Sequence, residues 1–149
     1  MMKFKGKLPE ITLKYKTGDM KKFKVSDAES CYGALKYIYD ADTIEYCESF
    51  IVLFLNNHNN TIGWIKISQG GITGTIVDRR MIFATALKCG ATSIILSHNH
   101  PSGNTTPSDA DIRMTKEVIK GGETLDIKVL DHIIVTKNSY TSMTNEGLI

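Results

Sequence analysis

SHNHPSGNTTPSDAD, residues 97–111, contains two histidines separated by a single residue, His98 and His100. The five residues before them, SIILS (Ser93–Ser97), form an apolar run that predicts a buried strand. Because side chains alternate between the two faces of a strand, both imidazoles are expected to project from the same side. A proline and a glycine follow within three residues and end the strand. The sequence therefore predicts a pair of histidines at the end of a buried strand.

A helix is predicted to begin at Ser108, a good N-cap residue, with Asp111 in its first turn. The strand end and the helix start would then bring together two imidazoles and one carboxylate. Three such ligands, with a fourth position left for water, are typical of a catalytic zinc site. A plainer interpretation is also open, in which His98 and His100 are polar loop residues and Asp111 is only a favourable acid in the first turn.

The pattern H-x-H-P followed by Ser108-x-x-Asp111 resembles the JAMM (MPN/JAB) metallopeptidase motif. Other segments are similar to the RadC branch of that superfamily, in the same order along the chain: GGITGTIVD (70–78), LDHIIV (130–135) and YTSMTNEGLI (140–149). The resemblance covers about residues 45–149. It implies an α/β (α+β) fold of the MPN type, a three-layer domain in which a curved mixed β-sheet is flanked by helices.

The resemblance also implies a role for each residue of the site. His98, His100 and Asp111 would bind Zn²⁺, which lowers the pKa of a bound water toward 7. A glutamate just before the first core strand serves the family as general base and acid, and Glu48 occupies that place before SFIVLFL. The serine at the position of Ser108 helps to stabilise the oxyanion of the tetrahedral intermediate.

Three other acidic or histidine residues offer alternatives. Glu45 is the rival of Glu48 as the base, and either of them could be a surface acid at a strand start. Asp131 and His132 lie on a predicted late strand, where a carboxylate could orient a ligand histidine through its second ring nitrogen. Because neighbouring strand residues face opposite ways, only one of the two is expected to point at the site. A partly buried, hydrogen-bonded strand residue is the other interpretation of His132.

The overall composition is that of a single globular domain, with 149 residues, 42% of them hydrophobic and 23% charged. No apolar run approaches the roughly 20 residues of a membrane span. The first 16 residues lack the apolar core of a secretory signal, so no membrane contact and a cytoplasmic location are expected. The chain has three cysteines, Cys31, Cys47 and Cys89. Because their number is odd and no two of them have C-x-x-C spacing, we expect them to be reduced thiols with a packing role.

Positive charge is concentrated at the N-terminus. Residues 1–24 hold eight lysines against Glu10 and Asp19, a net charge of +6, so the rest of the chain carries −4 of the total of +2. Such an arm could contact nucleic acid or another acidic partner through its lysines. The alternative is a solvated edge strand in which lysines discourage aggregation.

The chain divides into a short N-terminal β-hairpin and helix extension, residues 1–44, and a RadC-like JAMM/MPN domain, residues 45–149. The elements are predicted from hydrophobic periodicity and turn residues. In the extension they are strands at 11–17 and 21–25 and a helix from Ser26 to Asp40. In the domain they are strands at 49–57, 61–68 and 93–97, a helix from Asp78 to Gly90, a helix at 108–120 ended by Gly121-Gly122, and a closing strand pair at 126–136 and 139–143. Packing roles are assigned to Trp64 and to the helix face Ile82, Phe83, Ala86 and Leu87, and a turn position to His58.

The favoured interpretation is a zinc-dependent hydrolase of the JAMM type, acting on a peptide or isopeptide amide bond. The alternative is a non-catalytic or DNA-associated interaction module of DNA repair or mobile-element biology, because RadC names imply DNA repair. A metal-dependent nuclease fits less well, since two histidines and one carboxylate lack the paired carboxylates of two-metal phosphodiester chemistry. The substrate is left open, and so is a homo-oligomer.

Overall fold

The computed structural model describes residues 22–70 and 77–149. The predicted strand at 11–17 and six of the eight N-terminal lysines lie outside the described residues. Lys22 and Lys24 are described, and both are exposed. The strand predicted at 21–25 is represented there by a single bridge between Lys24 and Asn60.

The described residues contain three helices and five strands. In chain order they are α1 (Ala28–Leu35), β1 (Ser49–Leu55), β2 (Thr61–Gln69), α2 (Arg79–Cys89), β3 (Ser93–Asn99), α3 (Asp109–Thr124), β4 (Lys128–Val135) and β5 (Tyr140–Ser142). The strands form one sheet in the order β2-β1-β3-β4-β5. Only β3 and β4 pair in parallel, and α3 is the crossover between them. The predicted mixed sheet of an α+β domain is confirmed.

The helices cover both faces of this sheet. Ile51, Leu53 and Leu55 of β1 belong to the apolar cluster that also contains Leu35 of α1. On the opposite face, Phe50, Val52 and Phe54 join Ile82 and Ala86 of α2 and Val118 of α3. The strand β1 is buried along its whole length, so this apolar segment is core of the chain itself. The three predicted layers are therefore present, and α1 supplies one of them.

The predicted stop at Gly121-Gly122 is wrong, because α3 continues to Thr124. A Cβ on Gly122 would lie 2.3 Å from the backbone oxygen of Ile127, and one on Gly121 would lie 2.8 Å from the Phe83 ring. These two glycines thus permit close packing of the helix and do not terminate it. The helix predicted for residues 26–40 is also shorter than expected, since α1 ends at Leu35 and gives way to turns.

Two predicted packing residues are exposed. Trp64 is 49% exposed because it lies on the face of the edge strand β2 opposite to Ile65, which packs on the core. Leu87 is 56% exposed, whereas Ile82 and Ala86 are the buried positions of α2. His58 is exposed in the turn between β1 and β2, as predicted. All three cysteines are free, and none of the described helices is long and apolar enough to cross a bilayer.

Candidate metal centre

His98 is a buried polar residue on the apolar face of β3. It follows Ile94 and Leu96 on the same side of the strand and is 1% exposed. Its ring stacks on that of Phe50, the residue opposite it on β1, with the ring planes 12° apart. A buried imidazole needs partners for both nitrogens. Here Nδ1 lies 2.8 Å from His132 Nε2, and Nε2 lies 2.8 Å from His100 Nε2.

His100 lies just beyond the end of β3, where its backbone N–H still donates to the Val135 carbonyl at 3.0 Å. Its ring Nδ1 is 2.7 Å from the carbonyl oxygen of Asn104. A carbonyl can only accept, so Nδ1 carries a proton, and in a ring with a single proton the lone pair is therefore on Nε2. Gly103, at φ +79°, makes the tight turn that returns the Asn104 carbonyl to the ring.

Asp111 is directed at the histidines by the start of α3. Ser108 caps the helix by accepting from the Asp111 N–H at 3.1 Å. In return, Asp111 Oδ2 accepts from the Ser108 backbone N–H at 2.8 Å and from its hydroxyl at 2.6 Å. The Asp111 carboxylate lies 3.4 Å from His98 Nε2 and 3.8 Å from His100 Nε2. The hydrogen bonds by which Ser108 caps α3 thus also orient the carboxylate of Asp111, the predicted ligand, toward the two histidines.

The Asp111 carboxyl is ionised at neutral pH. Its partial burial alone would raise its pKa, but a hydrogen bond from His98 and the positive charge that His98 carries when protonated act the other way, as do the two hydrogen bonds from Ser108. Together they hold the pKa of Asp111 well below its usual range. A negative oxygen is therefore available next to the two histidines.

The ligand atoms of His98, His100 and Asp111 all lie within 4.8 Å of one another. Two ring nitrogens only 2.8 Å apart cannot face each other as bare lone pairs, so either a proton on one of them or a shared cation lies between them. Imidazole nitrogen and carboxylate oxygen are ligands that zinc accepts at about 2.0–2.2 Å. This donor set therefore fits a metal ion, and the structure brings together the three residues that the sequence singled out.

The two candidate glutamates lie outside this three-residue group. Glu48 immediately precedes β1 and is partly buried. Continuing the β1–β3 register beyond its last pair, Phe50 with His98, would set Glu48 opposite His100. Glu45 is exposed, and its carboxylate forms an ion pair with Lys137. The register therefore favours Glu48 over its rival.

Asn99 was not singled out from the sequence, yet it secures the segment that contains both glutamates. Its Oδ1 accepts from the Ser49 N–H at 2.8 Å. Its Nδ2 donates to the carbonyls of Ile44 and Cys47 at 2.7 and 2.9 Å. Because Asn99 is 1% exposed, these bonds are shielded from water. Asn99 thus attaches the residues around Glu48 to the strand that carries the histidines.

Asp131 and His132 face opposite sides of the sheet, as predicted, and His132 is the one directed at the site. Its Nε2 contacts His98, and its Nδ1 lies 2.6 Å from the hydroxyl of Thr115. Asp131 does not orient a ligand histidine, because its carboxylate accepts from the Ser142 hydroxyl at 2.6 Å and the Thr144 N–H at 3.1 Å.

His132 is more deeply buried than the sequence indicated. It is 0% exposed, and burial is the largest of the effects that lower its pKa well below the usual value, so the ring is neutral. Thr115 was missed altogether, although it lies four residues after Asp111 and so one helical turn further along the same face.

Comparison with known proteins gives a family. Residues 25–148 match the RadC-like JAB domain. Relatives named UPF0758 protein are 52% identical over 101 residues in Flavobacterium johnsoniae, 38% identical in Fusobacterium nucleatum and 50% identical over 96 residues in Finegoldia magna. These alignments cover 68%, 99% and 64% of this chain and 44%, 65% and 43% of the respective relatives. The chain thus spans less than two thirds of the length of each of these relatives, and it belongs to the family of RadC-like JAB domains.

Proposed function

We propose that this protein is a zinc-dependent hydrolase of the JAMM type that cleaves peptide or isopeptide amide bonds. The supporting observation is the convergence of His98 Nε2, His100 Nε2 and the Asp111 carboxylate, with ligand atoms all within 4.8 Å. These three residues would hold the ion and leave room for one further ligand. When bound, zinc supplies Lewis acidity and lowers the pKa of coordinated water toward 7.

Glu48 is the residue that we assign to proton transfer. Its carboxylate would take a proton from the attacking water while the water oxygen bonds to the amide carbon. The same proton would then pass to the leaving nitrogen as the C–N bond breaks. The partial burial of Glu48 and the attachment of its segment by Asn99 support this role. Glu45 is less suited to proton transfer, because its carboxylate already forms an ion pair with Lys137.

Ser108 is assigned to the oxyanion of the tetrahedral intermediate. Its single hydroxyl proton is donated to Asp111 Oδ2 in the structure, so the O–H bond must rotate to reach substrate. Asp111 would keep the hydrogen bond from the Ser108 backbone N–H during that rotation. Such a donor contributes on the order of 3 kcal/mol to lowering the barrier.

The test compares Glu48→Gln with Glu45→Gln in zinc-loaded protein. Hydrolysis is measured on a quenched fluorescent peptide library and on peptides joined through a lysine isopeptide bond. We expect Glu48→Gln to keep its zinc and to lose about 10²–10⁴-fold in rate, while Glu45→Gln keeps the wild-type rate. A zinc-loaded Glu48→Gln variant with full activity would refute the assignment of the base. A zinc-loaded wild type that cleaves neither class of amide would refute the peptidase assignment.

A further inference from the structure

A chain of hydrogen bonds runs from the metal-facing ring of His98 into the protein interior. It passes from His98 Nδ1 to His132 Nε2 at 2.8 Å, and from His132 Nδ1 to Thr115 Oγ1 at 2.6 Å. It ends where Thr115 Oγ1 lies 2.7 Å from the Asp111 carbonyl oxygen. We infer that His132 and Thr115 are positioning residues that hold His98 in the tautomer whose Nε2 is free to bind a metal ion. This inference rests on the metal site proposed above.

The Asp111 carbonyl at the inner end of this series of hydrogen bonds determines which atom donates at each step. The Asp111 carbonyl can only accept a hydrogen bond, and the Thr115 hydroxyl has one proton to give. At 2.7 Å that proton lies on the line to the carbonyl. The Thr115 oxygen is then left to accept, so His132 donates to it through Nδ1–H.

The outer end follows from the surroundings of His132, whose ring is fully buried and has no carboxylate among its two hydrogen-bond partners. With its proton on Nδ1, the imidazole presents a lone pair at Nε2, so His98 donates to it through Nδ1–H. The Nε2 of His98 is left facing His100 and Asp111, at 2.8 and 3.4 Å. This is the nitrogen that belongs to the candidate ligand group.

The reverse direction is less favourable at both ends. It would place the Thr115 oxygen and the Asp111 carbonyl oxygen 2.7 Å apart without a proton between them. It would also give His98 an Nε2–H group at the position where the metal ion needs a lone pair. A ligand histidine whose second nitrogen donates to a fixed acceptor is the common arrangement in metal sites.

Burial makes the chain rigid. Thr115 and His132 are both 0% exposed, so bulk water cannot replace either partner. The β3–β4 register pairs Leu96 with His132, which sets the ring of His132 beside that of His98. Asp131 fixes the backbone of His132 by accepting from its N–H at 2.7 Å. The sheet and helix α3 thus hold both positioning residues in place.

The first test measures zinc affinity by competition with a chromophoric chelator. Thr115→Val has nearly the same shape as threonine but removes the hydroxyl, and Thr115→Ser keeps it. We expect Thr115→Val to lose about 10–100-fold in affinity and Thr115→Ser to stay near the wild type. Thermal unfolding without zinc checks that both variants are folded. Equal affinities in the two folded variants would overturn the inference.

The second test reads the tautomer directly in the wild-type chain, so it does not depend on a variant that folds. Long-range ¹H–¹⁵N correlation spectra of the histidine rings, with and without zinc, should show His132 neutral and protonated on Nδ1. Bound zinc with His132 protonated on Nε2 would overturn the inference and leave the metal site standing. Protonation on Nδ1 in a chain that takes up no zinc would support the tautomer and refute the metal site.

Discussion

Helices α2 and α3 pack on the same face of the sheet and begin in similar ways, yet only one of them forms part of a candidate site. At α2, the cap residue Asp78 accepts from the Arg80 N–H at 3.0 Å and from its guanidinium at 2.8 Å. At α3, Ser108 is the cap and the Asp111 carboxylate faces His98 and His100. A carboxylate at a helix start is therefore a local feature, and it becomes a candidate ligand only where a neighbouring strand ends in histidines.

The C-terminal ends of the two helices also differ. Gly90 follows α2 at φ 66°, a left-handed position that favours glycine. Gly122 lies within α3, where it makes room for the Ile127 carbonyl. The same residue type thus ends one helix and allows the other to pack closely against the chain that follows it.

The largest effect expected from this comparison concerns the two carboxylates. Asp111→Asn should lose more than about 100-fold in zinc affinity, because the loss of a ligand charge exceeds the loss of an outer hydrogen-bond partner. Asp78→Asn should leave the affinity unchanged, since its partner is Arg80. Chelator competition on both variants measures this. Equal losses would show that Asp111 is only a first-turn acid.

Ser108→Ala separates capping from catalysis at α3. We expect stability to fall by about 1 kcal/mol from the lost cap. We also expect kcat to fall by about 100-fold or more from the lost oxyanion donor. Ser108→Thr keeps a hydroxyl and serves as the control in denaturant unfolding and hydrolysis assays. An alanine variant that loses stability but keeps the wild-type kcat would limit Ser108 to its capping role.

Substitution by alanine should reduce the free energy of unfolding by different amounts at Gly90 and at Gly122. Gly122→Ala places Cβ 2.3 Å from a backbone oxygen, so we expect a loss of about 3 kcal/mol, at the upper end for overpacking. Gly90→Ala meets no atom within 4 Å and has only its positive φ to oppose it, for which we expect about 1 kcal/mol. Urea unfolding of both variants measures the difference. A smaller loss for Gly122→Ala than for Gly90→Ala would refute this account of α3.

Lowering the pH should reduce the free energy of unfolding of the zinc-free protein, because it protonates the carboxylates of Asp78 and Asp111. The folded-state pKa values of Asp78 and Asp111 are both lowered. Their stabilisation is therefore complete above the unfolded pKa of about 3.9 and is lost as the pH falls toward the lower folded values. We expect a smaller drop in the urea midpoint between pH 5 and pH 3 in Asp111→Asn than in Asp78→Asn, because the Asp78 side chain is 41% exposed and that of Asp111 is 18% exposed. An equal drop in both would contradict the partly buried, hydrogen-bonded setting of the Asp111 carboxylate.

Local features of the fold could be predicted from the sequence. Apolar runs marked β1 and β3, and the cap residues Asp78 and Ser108 marked two helix starts, because these signals depend on neighbours along the chain. The three candidate ligands could also be predicted, since they lie at the end of β3 and in the first turn of α3, which begins only ten residues after β3 ends.

The parts that escaped prediction depend on contacts between distant segments. His132 and Asn99 meet partners that are 34 and 50 residues away in the sequence, at His98 and Ser49. Neither pairing has a signature in periodicity or turn chemistry. The continuation of α3 through two glycines likewise depends on the Ile127 carbonyl, which only the folded chain brings close.

The most direct test of the central claim is the zinc content of untagged protein purified without chelator, measured by plasma mass spectrometry. His100→Ala removes one candidate ligand of the site, and His58→Ala removes an exposed histidine of the β1–β2 turn as the matched control. We predict about one zinc per chain in the wild type and in His58→Ala, and almost none in His100→Ala. A wild type that takes up no zinc after reconstitution, or a His100→Ala variant that keeps it, would contradict the account.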